Sequence, residues 1–354
     1  MISTLICSLL PMGLLAAACP AVTFTSDGTA HVVNLRIPIP KTISHEAQEL
    51  VKAKELTAQP STDPTPIVAE IRKAYADRQA PVVEQLLRKY SVTVKKQSLA
   101  GVPVILITPT NARADLADRL IINVHGGAFF FGQGSIHEAI PIAARTGLAV
   151  MVVDYRLAPE HPFPAAVDDV IAVYRELLKT YQPQHLALYG WSSGAILAAE
   201  ATARAHQLDM PLPAALGFFS GTADLARSGD SEAFFGEGGL GPAVAPTAAI
   251  GNLYLKGHSP TDPLVSPAYA DVKDFPPVLL MSGSRDFLLS GTLNFHRQLL
   301  RAGVHAELVV FDAMPHVHWE NPDLPESDEA LDIQARFLSD KVGAPREARM
   351  AGRK

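Results

Sequence analysis

An α/β fold, with a mostly parallel sheet flanked by helices, is what this sequence predicts, and three observations predict it. Eight short runs read as strands, most of them apolar on both faces, helical patterns separate most of them, and glycine-rich turns follow some of the runs. Parallel strands joined by crossover helices are covered on both sides, so they read as unbroken apolar runs rather than alternating ones. In open sheets of this kind functional groups gather beyond the carboxyl ends of the strands. Those ends are where chemistry is to be sought.

At 354 residues the chain accommodates one large domain or two modest ones. With 48% hydrophobic and 19% charged residues and a net charge of −6, it lacks the electrostatic footprint of a nucleic-acid or anionic-membrane binder. No internal repeat is present, which argues against solenoids and propellers. Its two cysteines, Cys7 and Cys19, lie in the first twenty residues. From Pro20 onward no thiol zinc site, redox pair, disulfide or cysteine nucleophile can form. Neither a metal nor a cofactor is expected.

Residues 1–21, "MISTLICSLLPMGLLAAACPA", form an apolar core ending in small residues and read as an export signal. The segment is too short and too interrupted by Pro11 to span a membrane, and "AAAC" resembles a weak lipoprotein cleavage site. A periplasmic or secreted chain is the expectation; the alternative is a first helix or strand of a cytoplasmic one. Residues 22–90 read as a Pro-rich linker and two amphipathic helices, about 44–57 and 66–90. Pro81 is expected to split or kink the second helix.

The catalytic domain is placed at 91–341. Its strands are read at Val92–Lys96, Val102–Thr108, Leu120–Val124, Ala149–Val153, Leu186–Tyr189, Leu216–Phe219, Val278–Ser282 and Glu307–Phe311. Helical patterns cover Ala165–Lys179, Ala195–His206 and Gly291–Ala302. Residues 342–354 read as a polar, basic tail without function.

Gly190-Trp191-Ser192-Ser193-Gly194 joins an apolar strand, "HLALYG", to an alanine-rich helix. In that context Gly-x-Ser-x-Gly has a mechanical meaning: the central serine is strained and thrust above the sheet. Side chains at 190 and 194 would collide across the turn, so both must be glycine. By composition alone such a frame arises by chance in roughly one chain in ten of this length, and the strand and helix around it make chance less plausible. Ser192 is therefore the candidate nucleophile, against a glycine-rich turn without chemistry. Ser193, at the helix start, offers its N–H to a developing oxyanion.

"INVHGGAFFFGQGS" follows the third strand, and the backbone N–H groups of Gly126, Gly127 and Ala128 can point at a carbonyl oxygen. His125 is read as orienting this loop. The acid and base follow later: Asp286 after "VLLMSGSR", and His316 or His318 after "ELVVFDAMP". Position alone does not separate the two histidines. Asp312 is a weaker acid candidate, being too close in sequence to the base it would orient.

Taken together, "HGGAFFFG" (125–132), "DYRLAPEHPFPAAVDD" (154–169), "GWSSGA" (190–195), "DPLVSPAYAD" (262–271), "PPVLLMSGSRDFL" (276–288) and "MPHVHW" (314–319) resemble the hormone-sensitive-lipase-like group of α/β-hydrolases, its bacterial esterase branch. The resemblance runs from about Ser91 to Leu338. It implies the α/β-hydrolase fold, an eight-stranded sheet with a helical N-terminal cap over an acyl pocket, and a triad of Ser192, Asp286 and His316. It selects His316 because the family histidine directly follows "MP". It also implies that Asp154, Arg156, Glu160 and His161 brace loops. The chain departs from the family at Trp191, Ser193 and Ala195, where Asp, Ala and Gly are usual, and at Ala128, where the loop's third glycine is usual. Trp191 is either core or a pocket wall. Gly-Gly-Ala loops of this type are associated with esters of bulky alcohols.

The resemblance implies a serine carboxylesterase for short- to medium-chain esters, acting through an acyl-enzyme on a small-molecule substrate. The same triad also serves amidases and deacetylases. A ligand receptor on this fold, as in the gibberellin receptors, is disfavoured because those resemble the family but lack the triad histidine. Oligomeric state is not legible.

Overall fold

The computed structural model describes residues 21–26, 30–33, 39–57, 68–112, 114–237 and 253–343. All but the last residue of the expected export signal, both cysteines and nearly all of the basic tail lie outside these residues. The chain divides into two compact units, residues 1–40 and 41–354. In the first, β1 (Ala21–Phe24) pairs antiparallel with β2 (Ala30–Val33), Ala21 opposite Val33. A hairpin thus occupies part of the stretch expected to be linker; its β-branched runs around Asp27-Gly28 carried that signal.

The second unit is built on an eight-stranded sheet: β3 (Val92–Leu99), β4 (Val102–Pro109), β5 (Leu120–Val124), β6 (Ala149–Val153), β7 (Leu186–Trp191), β8 (Ala215–Phe219), β9 (Val278–Arg285) and β10 (Ala306–Pro315). Their order is β10-β9-β8-β7-β5-β6-β4-β3. β3 and β4 pair antiparallel, as do β4 and β6, and every other neighbouring pair is parallel. All eight expected strands are present.

Among the described residues the longer helices are α1 (His45–Thr57), α2 (Val68–Lys89), α3 (Ala139–Thr146), α4 (Ala165–Leu177), α5 (Ser193–Gln207), α6 (Leu289–Arg301) and α7 (Pro325–Lys341). Two apolar layers explain why the strands read as unbroken runs. On one face Leu186 and Leu188 of β7 and Val278 and Leu280 of β9 pack with Val170 of α4, Ile196 and Leu197 of α5 and Phe295 of α6. On the other, Ala187, Tyr189 and Trp191 of β7 and Leu279 and Met281 of β9 pack with Ile140 of α3 and Leu331 and Leu338 of α7. The period of two along each strand therefore sends apolar groups both ways.

Pro81 does not split α2: the helix runs through it. A proline in a helix interior costs about 3 kcal/mol and leaves the carbonyl four residues earlier without its donor. Here Pro81 and Asp77 are both exposed at the helix surface, while Val82, Val83 and Leu86 pack beneath. The helices α3 and α7 were not anticipated. Seven of the eight residues of α3 are buried, which leaves no amphipathic period to read. For α7 the signal was present: Pro325 at its start, Glu326 and Asp328 in the first turn, then Leu331, Ala335 and Leu338 inward.

Candidate active site

Ser192 sits between β7 and α5 with φ 56° and ψ −127°, a conformation that costs a side-chain-bearing residue about 1–3 kcal/mol. The surroundings impose it. A Cβ at Gly190 would lie 2.2 Å from the Gly194 carbonyl carbon, and one at Gly194 would lie 2.0 Å from the Val124 oxygen. Ser192 N–H donates to the Phe219 carbonyl at 2.9 Å, and the Ser192 carbonyl accepts from Ala195 N at 3.0 Å. Crowded backbone and these bonds hold the strained residue at the strand's carboxyl end.

His316, just past β10, brings its Nε2 to 2.9 Å from Ser192 Oγ, and its Nδ1 lies 2.8 Å from Asp286 Oδ1. Asp286, after β9, is fully buried. It also accepts Leu288 N–H at 3.0 Å and the Ser282 hydroxyl at 2.8 Å. Burial raises its carboxyl, but the charge and hydrogen bond of His316, with bonds from Ser220 and Leu288, outweigh that and hold it below the usual carboxylate range. The structure thus brings Ser192, His316 and Asp286 together. His318 is packed elsewhere, its ring against Phe311 and Trp319 at 4.9 and 4.8 Å. Asp312 is exposed and accepts the Thr42 hydroxyl at 2.5 Å.

The loop after β5 carries three successive residues of positive φ: Gly127 (127°), Ala128 (52°) and Phe129 (70°). Gly127 is obligatory, since a Cβ there would lie 2.1 Å from the Phe131 oxygen. The Phe130 and Phe131 N–H groups both donate to the Gly127 carbonyl, closing the turn. Among the described residues, the N–H groups of Gly127, Ala128 and Ser193 have no acceptor. Gly126 differs from expectation. Its N–H is committed to Glu138 Oε1 at 2.7 Å, so it is not available as an oxyanion donor.

His125 braces this loop, with Nδ1 2.8 Å from the Gly126 carbonyl oxygen and its ring stacked on Tyr155 at 4.2 Å. Burial lowers its pKa. Asp154 Oδ1 accepts Gly134 N–H at 2.8 Å, and Asp169 accepts Arg156 through both oxygens. Glu160 receives two bonds from Arg72 of α2, which also donates to the carbonyls of Phe130 and Ala158. The sequence reading missed Arg72, because it passes for one charge on the polar side of an amphipathic helix. Trp191 proves to be core: it is buried and meets Trp319 edge-on at 5.8 Å.

Buried charge lies beneath the loop. His137 Nε2 is 3.2 Å from Glu320 Oε1. Burial opposes the charge of each, but their mutual attraction wins, so His137 is raised and Glu320 lowered. Glu138 is pushed up to about 7, by burial above all, against the charge of His137 and the bonds from Gly126 and Asn123. The only sequence signal for it was a charged pair, His137-Glu138, opening a helix with no further charge until Arg145. A raised carboxyl means the native state holds a proton that the unfolded chain has released between its ordinary value and about 7. Its contribution is complete below the unfolded pKa and falls by about 3 kcal/mol as pH rises through the folded one. The raised His137 also loses its contribution as pH rises, whereas Asp286 and Glu320 lose theirs only in acid. The urea midpoint is therefore expected to drop between about pH 5.5 and pH 8; a midpoint that is flat or rises would contradict this assignment.

A profile of the alpha/beta hydrolase fold matches residues 121–320. The chain is 34% identical over 272 residues to an esterase of Acinetobacter venetianus, covering 73% of this chain and 87% of that protein. It is 35% identical over 229 residues to an acetyl-hydrolase of Streptomyces hygroscopicus, covering 64% and 77%. Among solved structures, the esterase E25 aligns with a TM-score of 0.76 at 32% identity, over 88% of this chain and 98% of its own. An esterase from the bacterial hormone-sensitive lipase family aligns with a TM-score of 0.73 at 31% identity, over 85% and 99%. The chain belongs to the α/β-hydrolase family, in the group that holds the bacterial hormone-sensitive-lipase esterases.

Proposed function

We propose that the protein is a serine carboxylesterase acting on short- to medium-chain carboxylic esters. The observation that carries this reading is the chain Ser192 Oγ–His316–Asp286, with 2.9 and 2.8 Å links, beside three N–H groups that have no acceptor among the described residues. Ser192 Oγ attacks the ester carbonyl while His316 Nε2 takes its proton. The carbonyl oxygen becomes an oxyanion, held by the N–H groups of Gly127, Ala128 and Ser193. Collapse of this species breaks the C–O bond, and His316 returns the proton to the leaving alcohol. Water then attacks the acyl-enzyme by the same route, releasing the acid and restoring Ser192. Asp286 fixes the imidazole tautomer and stabilises its charged form.

The helix α2 fits the role of a cap, whereas α1 packs against β10 and α7. Arg72 of α2 ties that helix to the Phe130 carbonyl, and Tyr75 packs on Phe131 at 4.6 Å. A p-nitrophenyl ester series from acetyl to palmitoyl tests the reading. Turnover is expected on acetyl to hexanoyl esters and is expected to fall by at least about tenfold at palmitoyl. Preference for palmitoyl would overturn the chain-length assignment. Cleavage of anilides but of no ester would favour an amidase or deacetylase on the same triad, a reading to which the similarity to an acetyl-hydrolase lends weight.

A further inference from the structure

No step of the ester chemistry touches Glu138, yet its carboxylate is buried directly beneath the loop that carries two of the donors. Oε1 accepts the Gly126 N–H at 2.7 Å, and Oε2 accepts Asn123 Nδ2 at 3.3 Å. Gly126 links the end of β5 to Gly127 and Ala128. It is also pressed against the nucleophile: a Cβ at 126 would lie 2.8 Å from the Trp191 oxygen and 3.4 Å from Ser192 Cβ. Any displacement of this peptide moves the donors relative to Ser192 Oγ. Oxyanion stabilisation depends steeply on such distances.

We propose that Glu138 is the positioning residue of the oxyanion loop, fixing through the Gly126 N–H where Gly127 and Ala128 present their donors. This rests on the esterase reading, which gives those donors their role. The backbone carrying Glu138 is itself anchored, since Tyr189 donates its hydroxyl hydrogen to the Glu138 carbonyl at 3.0 Å.

The groups facing this carboxylate are His137 and Glu320, Tyr75 of α2 with Arg78 behind it, and Tyr155 and Tyr189 from the sheet side. With a carboxyl at about 7, Glu138 exchanges its proton near neutrality. Asn123 suits both states. Its Nδ2 donates to the carboxylate, and its Oδ1, buried without a partner, accepts from the acid once the amide turns over. In either state Oε1 stays an acceptor for Gly126. The pair Glu138–Asn123 thus keeps the loop in place across the pH range in which the carboxyl titrates.

The test compares the full chain with its Glu138→Ala, Glu138→Asp and Glu138→Gln variants on p-nitrophenyl butyrate. A second readout is the Ki of an alkyl trifluoromethyl ketone, whose Ser192 adduct places an oxyanion against the same donors. Glu138→Ala is expected to lower kcat about 30- to 100-fold with KM within about threefold, and to weaken the ketone by a similar factor. Glu138→Asp withdraws the acceptor by one methylene and is expected to give a smaller loss of the same kind. Glu138→Gln should recover kcat to within about threefold, because its oxygen accepts from Gly126 and its amide donates to Asn123. Three results would each overturn the proposal: a folded alanine or aspartate variant with unchanged kcat, a loss of kcat without weaker ketone binding, or a glutamine variant no better than alanine. If the alanine variant does not fold, the aspartate and glutamine pair decides. Failure of the esterase reading is distinguishable, because the unmodified protein would then hydrolyse no ester or Ser192→Ala would remain active.

Discussion

Ser192→Ala is expected to lower kcat on p-nitrophenyl butyrate by about 10⁴-fold or more, whereas Ser193→Ala stays within about threefold of the parent. The two serines are adjacent, and their backbones decide between them. Ser192 occupies the strained turn, so its hydroxyl stands above the sheet, 2.9 Å from the His316 nitrogen. Ser193 has entered α5 and is buried; its proposed contribution is the N–H, which alanine keeps. Neither change removes a Cβ, so the backbone strain and the fold stay as they are, and thermal unfolding should shift little. Activity measured per folded molecule is therefore a clean readout. Comparable losses at both positions would mean that the turn presents the other hydroxyl and that the nucleophile has been misassigned.

How much of this was legible in the sequence follows from the range of the interactions. The inner strands β5 to β9 were legible because each buries both faces, a property of the local run alone, whereas the largely exposed edge strands β3 and β10 showed only as short β-branched runs. Ser192, Asp286 and His316 could be proposed because each follows a strand's carboxyl end, where the parallel sheet gathers its loops. The choice of His316 over His318 needed the family resemblance. In the structure it has a local cause, since the His318 ring packs on Phe311 and Trp319 and faces away from that chemistry. The fate of the Gly126 N–H was not legible, because its acceptor lies twelve residues on, at the start of a helix whose apolar composition concealed it. Trp191 could not be assigned either: alternation along β7 sends it into the layer with α3 and α7, and α7 had not been recognised. Local periodicity thus revealed the scaffold, while the supports of the site depend on pairings between distant segments.

Asp286→Asn is expected to lower kcat by about 10⁴-fold while leaving KM within a few-fold, and the reason lies in which histidine nitrogen carries the proton. The aspartate accepts from His316 Nδ1–H, which leaves Nε2 unprotonated toward Ser192 Oγ. An asparagine can turn its NH₂ toward Nδ1, and the proton then moves to Nε2, where it faces the serine and removes the base. Shape and volume barely change, so substrate binding persists. The paired variants His316→Ala and His318→Ala locate the base independently. The first should match Ser192→Ala in severity, because no other described group lies within hydrogen-bond reach of Ser192 Oγ. The second empties a buried site between Phe311 and Trp319 and should act on stability, with kcat per folded molecule within about threefold. An active Asp286→Asn variant would mean that Asp286 acts by packing alone. A His318→Ala loss exceeding that of His316→Ala would move the base to a ring that the fold now holds against two aromatic side chains, and would require the turn after β10 to rearrange before the serine could be activated.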